Sequence, residues 1–344
     1  ENSSINRIAL SVVFVSLGVV FLFASVAQNM VYLSRVMVLP LTFLCFLVLF
    51  TRQSQDSVCD GLSLCALVAV LLSLVGFAYA FFGGEHLGVI KNPDGRGNAL
   101  FLTTYSNATF GNIIRPSFWY DEPGSLSFFI CTVVVFREIL GKSRKLSIVL
   151  MLGGIITFSL THLLVCLLYS QYIYRYSIYI FGFLVALLLG LLLPFLDFLD
   201  FFLSRFEVVD GRLAGDNRSR EIDYYMESIT SNIFVFGNAG CYVGNVDVCS
   251  SGPITATPLA PNYRQGLIGL TYQAVVSFYL FLVMLCSKAY RVPALILFLL
   301  LLQRPYYSAF GYSALIILIL FAFEYRLNIL TSMGRRLALA KVTK

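Results

Sequence analysis

One segment concentrates side chains suited to acid–base work: Arg115-Pro-Ser-Phe-Trp-Tyr-Asp-Glu-Pro-Gly-Ser, in which Arg115 and Glu122 flank Trp119, the only Trp of the chain. A carboxylate such as Glu122 can take a proton from a hydroxyl as a general base. Trp119 and Tyr120 beside it offer an aromatic platform for a sugar ring. The same residues have a plainer reading. Trp119 and Tyr120 fit an interfacial aromatic belt, and Asp121 and Glu122 fit the start of a helix, where acids offset the dipole.

A second segment, Arg212-Leu-Ala-Gly-Asp-Asn-Arg-Ser-Arg-Glu-Ile-Asp, groups Arg212, Arg218 and Arg220. Asp216 is placed to cap a helix, and Ile222, Met226, Ile229 and Ile233 recur at helical spacing. An amphipathic helix with Arg218 and Arg220 in its first turn follows. A helix N-terminus with guanidinium forks is an anion site suited to phosphate. The alternative is a pair of i,i+3 surface salt bridges, Arg218–Glu221 and Arg220–Asp223. Two further groups sit at the ends of apolar runs: Tyr263 and Arg264 in Asn262-Tyr-Arg-Gln-Gly, and Arg304 and Tyr306 in Gln303-Arg-Pro-Tyr-Tyr. An arginine at membrane depth costs on the order of 3 kcal/mol unless paired or hydrated, so each is a site candidate. Snorkelling to the interface is the competing explanation.

No metal signature accompanies these residues. The 8 Cys include no CxxC, and there are only 2 His. His86 and His162 are lone histidines and read as structural. Asp121-Glu122 is the nearest approach to an acidic metal motif, so neither metal nor cofactor is expected. Six cysteines lie in or near apolar runs and read as inert apolar residues. Cys241 and Cys249 share one polar loop, where an oxidising compartment favours a disulfide between them. Asp197 and Asp200 follow Pro194 among phenylalanines, the pattern of an interfacial amphipathic helix.

The elements that position these residues are read from composition. Of 344 residues, 58% are hydrophobic and only 12% charged, and the mean hydropathy is +0.83. A soluble domain has about 25% charged residues; lipid-facing surfaces cannot carry them. The 31 Phe and 20 Tyr suit spans with aromatic belts. Apolar runs at Ile8–Val26, Val36–Phe50, Leu62–Phe82 and Leu267–Cys286 approach the ~20 residues that a bilayer requires. Such a chain is expected to be an all-α, polytopic integral membrane protein, one transmembrane unit over residues 1–344. Alternating strands of about ten residues, the mark of a membrane β-barrel, are not the pattern here. The first run is longer than a signal-peptide core and no small-residue cleavage site follows it, so it is expected to be retained. The net charge of +6 does not point to nucleic acid.

Charge sets the topology. Basic clusters lie at Arg137/Lys142/Arg144/Lys145, at Lys288/Arg291 and along the C-terminal tail. The positive-inside rule puts them in the cytoplasm. The two long polar stretches, Gly83–Glu122 and Ser204–Asn262, are each one span away from such a cluster, so both are expected outside. Passing from an inside Lys145 to an outside Ser204 requires an odd number of crossings. Hydropathy alone suggests two helices between them. Three shorter spans satisfy the parity: about Leu146–Phe158, Leu160–Tyr174 and Tyr176–Leu193, with a turn at Thr157–Thr161. Val292–Tyr325 would make a single helix of about 51 Å, too long for one crossing, and is expected to break at Gln303-Arg-Pro305. The total is about ten transmembrane helices, with both termini inside.

Taken in order, four features resemble the bacterial O-antigen polymerases of the Wzy type, within the superfamily that includes the O-antigen ligases. They are Arg115…Glu122-Pro-Gly entering a span, the turn Thr157-Phe-Ser-Leu-Thr161, the arginine-rich loop running to Phe236-Gly-Asn-Ala-Gly240, and Arg264-Gln-Gly-Leu-Ile-Gly leading the next span. They cover most of Arg115–Thr271; the N-terminal third resembles the family in hydropathy only. The resemblance implies a GT-C-type, metal-independent glycosyltransferase in the bacterial inner membrane, with its active site facing the periplasm. Its substrates would be undecaprenyl-diphosphate-linked oligosaccharides, as both donor and acceptor, with membrane lipids around it and a chain-length regulator protein as a further partner. On that reading Glu122 is the base. Arg218, Arg220, Arg212 and Arg264 hold the departing diphosphate, and Arg115, Trp119, Tyr120, Tyr263, Arg304 and Tyr306 contact substrate. An O-antigen ligase typically has a histidine in the large periplasmic loop, and Ser204–Asn262 has none. A lipid-linked glycan flippase would show charges within spans and internal repeats, which are not evident here.

Overall fold

A computed structural model describes residues 52–91, 97–110, 112–173, 207–209, 212–213, 217–237, 257–305 and 312–327. Its helices are α1 (Arg52–Phe81), α2 (Pro123–Leu140), α3 (Arg144–Gly153) continued by a 3-10 turn (Gly154–Thr157), α4 (Leu160–Ile173), α5 (Asn217–Ser228), α6 (Ser231–Phe236), α7 (Ala260–Cys286) and α8 (Arg291–Gln303), followed by α9 at 312–327. Three of them are long and apolar enough to cross a membrane: α1 from Gln55, α2 and α7. Helices α4 and α8 are shorter apolar helices.

Helix α2 is the hub. It opens with Pro123, whose fixed φ and missing N–H suit the first helical position. It stops at Gly141 in the left-handed region (φ 69°), whose N–H bonds the carbonyls of Arg137 and Glu138. In its most apolar stretch 83% of residues are buried, against 33% for α1 and 28% for α7. A helix apolar all round is covered all round, here by α1, α3, α4 and α8. Phe128 and Phe136 of α2 share one core with Leu150 of α3, Leu297 of α8 and Phe323 of α9. Small residues set the closest approaches: a Cβ on Gly153 would collide with Val70 of α1.

The expected turn near Thr157–Thr161 is present. The 3-10 turn ends at Thr157, Phe158 takes a left-handed conformation (φ 48°), and α4 starts at Leu160. Helix α3 and its 3-10 extension rise only about 23 Å, short of the ~30 Å hydrocarbon core. The expected break at Gln303-Arg-Pro305 is also present, since α8 ends at Gln303. The spans expected at Ile8–Val26, Val36–Phe50 and Tyr176–Leu193 lie outside the described residues.

One correction concerns the all-α expectation. The loop Gly83–Glu122 is built from strands: β1 (Gly88–Lys91), β2 (Gly97–Phe101) and β3 (Thr104–Ser106) form an antiparallel sheet, and β4 (Thr109–Phe110) pairs with β5 (Ile113–Ile114). The β2–β3 turn is two residues long, Leu102–Thr103, with Leu102 at φ 52° and Phe101 opposite Thr104. The sheet sits on the end of α1. Thr103 Oγ1 donates to the Leu72 carbonyl at 2.5 Å, and Phe101 and Ile114 pack with Ala80. Strands this short carry no period of their own; they form because α1 gives them a surface. A second small pair, β6 (Val208–Val209) with β7 (Arg212–Leu213), lies in the other polar stretch.

Cross-links define two ends of the bundle. At one end Lys142 bridges Asp56 (3.1 Å) and Asp60 (3.0 Å) of α1. Burial draws its pKa down, but the two carboxylates more than offset this and hold Lys142 above the ordinary lysine value. Tyr172 Oη donates to the Ala289 carbonyl at 3.3 Å, and Arg326 donates to the Leu140 carbonyl. Arg137, expected in a basic loop, is instead buried in the last turn of α2. At the other end lie the starts of α2, α4 and α7 and the end of α8. The two long polar stretches therefore meet the bundle at the same end, and Lys142, Arg144, Lys288 and Arg291 lie at the opposite one.

Candidate functional site

Glu122 occupies the N-cap position of α2 with extended backbone (φ −155°, ψ 156°), yet its side chain does not cap the helix. It receives Arg304 instead: Nη1 of the guanidinium donates to Oε1. The two side chains are mostly covered, 20% and 14% exposed respectively. The pair joins the start of the central helix to the end of α8. Gly124 makes it possible, because a Cβ there would collide with Arg304 Nη2 and lie 2.9 Å from Cζ. The tripeptide Glu-Pro-Gly thus carries three separate tasks: carboxylate, helix start and clearance for a guanidinium. The neighbouring acid takes a local role, with Ser125 Oγ donating to Asp121 Oδ1 at 2.7 Å. Asn98 Nδ2 of β2 donates to the Asp121 carbonyl at 2.8 Å, tying the sheet to this helix start.

Arg115 is committed to the turn between α3 and α4. Its Nε donates to the Thr157 carbonyl (3.3 Å) and its Nη2 to the Phe158 carbonyl (3.4 Å). Its backbone N–H is held by Ser106 Oγ at 3.2 Å. Beneath this turn His162 is fully buried. Its Nε2 lies 2.8 Å from the Met151 carbonyl, and its Nδ1 faces Ser127 Oγ (3.2 Å) and Cys131 Sγ (3.3 Å). One tautomer satisfies all three contacts: Nε2–H donates and Nδ1 accepts. The ring fills the space that a side chain on Gly154 would need, so His162 acts as a structural bolt. Leu102, Phe118 and Phe158 all have positive φ (52°, 53° and 48°). Strained non-glycine backbone of this kind costs about 1–3 kcal/mol per residue and collects at functional sites. Among the described residues, all three lie at this end.

Trp119 is 72% exposed and stacks flat on Phe118, centroids 4.9 Å apart and planes 7° apart. It is available as a platform. Tyr120 is not, which corrects the paired reading. Its ring turns inward to Phe129 (5.9 Å) and Tyr312 (6.3 Å), and burial pushes its phenol up to about 12.

In the second polar stretch, Arg218 and Arg220 fall in the first turn of α5, as the spacing predicts, and Arg212 falls in the short strand β7. Asp216, the expected cap, lies outside the described residues, as do the side chains of Arg212, Arg218 and Arg220, and likewise Tyr306, Cys241 and Cys249. The expected apolar face is wrong in part. Ile222 and Met226 are 40% and 67% exposed, while Tyr225 is buried and packs with Ala260, Tyr263, Ile229 and Ile233. Nor is the helix continuous. It ends at Ser228, and Thr230 caps a new helix, α6, by accepting from the Ile233 N–H. Tyr263, expected to meet substrate, is buried between Tyr224 and Tyr225.

Helix α6 then crosses α7 backbone to backbone. Helix α7 is interrupted at Gly266 (φ 62°, ψ −145°). A Cβ there would collide with the Val235 carbonyl, and one on Gly237 (φ 80°) would lie 2.6 Å from the Arg264 carbonyl oxygen. Asn262 locks the crossing: it accepts from Tyr225 Oη (2.7 Å) and donates from Nδ2 to the Phe234 carbonyl (3.1 Å). Arg264 and Gln265 stand at the interruption. Spacing arguments do not assign the roles of Gly124, Gly154 or Asn262; for Gly124 and Gly266 the signal in the sequence is the glycine itself, in Glu-Pro-Gly and Arg-Gln-Gly-Leu-Ile-Gly.

Among the described residues no group of three or more His, Cys, Asp or Glu side chains could hold a metal ion. Set against known proteins, the chain matches no family model, no curated protein and no solved structure.

Proposed function

We propose that this chain is a metal-independent glycosyltransferase of the membrane, an O-antigen-type polymerase with about ten spans that joins undecaprenyl-diphosphate-linked repeat units at the periplasmic face of the inner membrane. One observation carries the reading. The four segments that resemble the polymerases, far apart in sequence, come together in pairs at one end of the bundle. Arg115 binds the Thr157–Phe158 turn, and Gly237 lies against Arg264 and Gln265.

The chemistry assigns each residue a task. An acceptor hydroxyl attacks the donor's anomeric carbon, and the bond from that carbon to the diphosphate oxygen breaks. The hydroxyl proton passes to Glu122, and undecaprenyl diphosphate leaves with the bond's electron pair. Arg304 orients the carboxylate, as the orienting acid of a triad does its base. Arg218, Arg220, Arg212 and Arg264 meet the charge that develops on the diphosphate. Trp119 offers its exposed face to a sugar ring.

A second reading, a lipid-linked glycan flippase, draws support from the interruption of α7 at Gly266, because discontinuous helices line the substrate sites of transporters. Purified chain in proteoliposomes with lipid-linked repeat separates the two. Products of two or more joined repeats are expected. Translocation of the repeat without joining would overturn the polymerase reading.

A further inference from the structure

Beside the sheet of the first polar stretch lies a cleft of about 590 Å³, between the end of α1, strand β2, residues 106–109 and Asn112. It is open because much of its lining is small, with glycine at positions 83, 84 and 97. The size falls within the roughly 300–1,000 Å³ of small-molecule sites.

Its chemistry is specific. Asn107, Asn112, Glu85 and His86 line it, and among the described residues none of these four side chains forms a hydrogen bond or ion pair. None of the described residues lining it is Arg or Lys. The exposed His86 ring tilts over the buried Phe101, centroids 6.3 Å apart. Neutral amides with two donors and two acceptor lone pairs each, one carboxylate and the flat face of an imidazole are complementary to adjacent hydroxyls and the C–H face of a sugar. Glu85, the one carboxylate among the described lining residues, repels phosphate and diphosphate.

The cleft is also mechanically joined to the site already described. Ser106 Oγ, at its wall, accepts from the Arg115 N–H and donates to the Ala108 carbonyl at 2.7 Å. Asn98 of the same sheet holds the carbonyl beside Glu122. We propose that this cleft binds the neutral glycan of a lipid-linked repeat, while the arginines of the other polar stretch take the anionic end. The assignment rests on the polymerase reading and divides the substrate between the two polar stretches by charge.

The test is hydrogen exchange on the purified full chain in nanodiscs. The probe is the free oligosaccharide released by mild acid from the lipid-linked repeat. At ten times its dissociation constant, amides at 84–86 and 106–109 are expected to exchange about tenfold more slowly. Inorganic pyrophosphate should leave them unchanged. The double variant Asn107→Ala/Asn112→Ala should lose the protection; Glu85→Gln, at an exposed position, serves as a second variant and should weaken it. Absence of protection in a chain that joins repeats overturns the cleft assignment and leaves the polymerase reading intact. Protection by pyrophosphate overturns the charge division. Protection in a chain that joins no repeats upholds a glycan cleft and removes the polymerase reading.

Discussion

Helix α2 meets an arginine near each end, Arg137 buried and Arg304 mostly covered, and the two are held by opposite means. Arg137 donates to Ser63 Oγ (2.8 Å), Ser147 Oγ (3.2 Å) and the Ser143 carbonyl (2.8 Å). These partners are neutral and fixed by packing, and the arginine sits in a last helical turn, where the dipole favours a cation. It staples α1, α2 and α3 together. Arg304 faces a carboxylate, in space cleared by Gly124, at the end that holds the positive-φ residues Phe118 and Phe158 and the interruption of α7. The difference separates a device for holding helices from an arrangement with charge set out for use.

Removing the staple should have the largest effect on the fold. Arg137→Met keeps the length of the side chain but deletes three hydrogen bonds from a charged donor, although Ser63 Oγ still donates to the Cys59 carbonyl at 2.6 Å. At about 1.5–3 kcal/mol for each hydrogen bond to a charged group, a loss of roughly 4–9 kcal/mol is expected. It would be read as collapse of expression or a sharply lowered melting temperature in detergent. Normal melting of this variant would erase the contrast between the two ends.

Gly266→Ala comes next. A backbone at φ 62° and ψ −145° alone costs a side chain about 1–3 kcal/mol, and the collision with the Val235 carbonyl adds to it. The expected readout is faster proteolysis or hydrogen exchange in α6 and the start of α7, with the Arg137 end unchanged. Uniform loosening of both ends would show that the crossing is not a local device.

Tyr225→Phe is the smallest change. It deletes the donor to Asn262 Oδ1 and should cost about 1 kcal/mol, confined to exchange in α5 and α6. An effect on α2 or α8 would mean that the second polar stretch and the Glu122–Arg304 pair are one unit.

The sequence makes the apolar helices legible because lipid demands long uncharged runs. The Thr157–Thr161 turn is legible too, but from charge parity and not from hydropathy. Its cause is a left-handed Phe158 pinned by Arg115, which no propensity would suggest. The β-structure of the first stretch is hidden because its strands, such as Thr104–Ser106, are too short to show alternation. Helical spacing offered Ile222 and Met226 as the inner face, whereas the tyrosine hydroxyl of Tyr225 finds a buried partner in Asn262 and wins the interior. Glu122 was legible as a candidate by its own chemistry. Arg304 was legible too, but the pairing was not, since the two lie 182 residues apart and only the folded bundle brings them together.

The most direct test is the turnover of Glu122→Gln, measured on purified protein with lipid-linked repeat and compared with its melting temperature. Glutamine keeps the shape and can still accept from Arg304, but it cannot take a proton. If Glu122 is the base, turnover falls by roughly 10²–10⁴ while melting shifts by no more than a few degrees. Full turnover by Glu122→Gln would contradict the account.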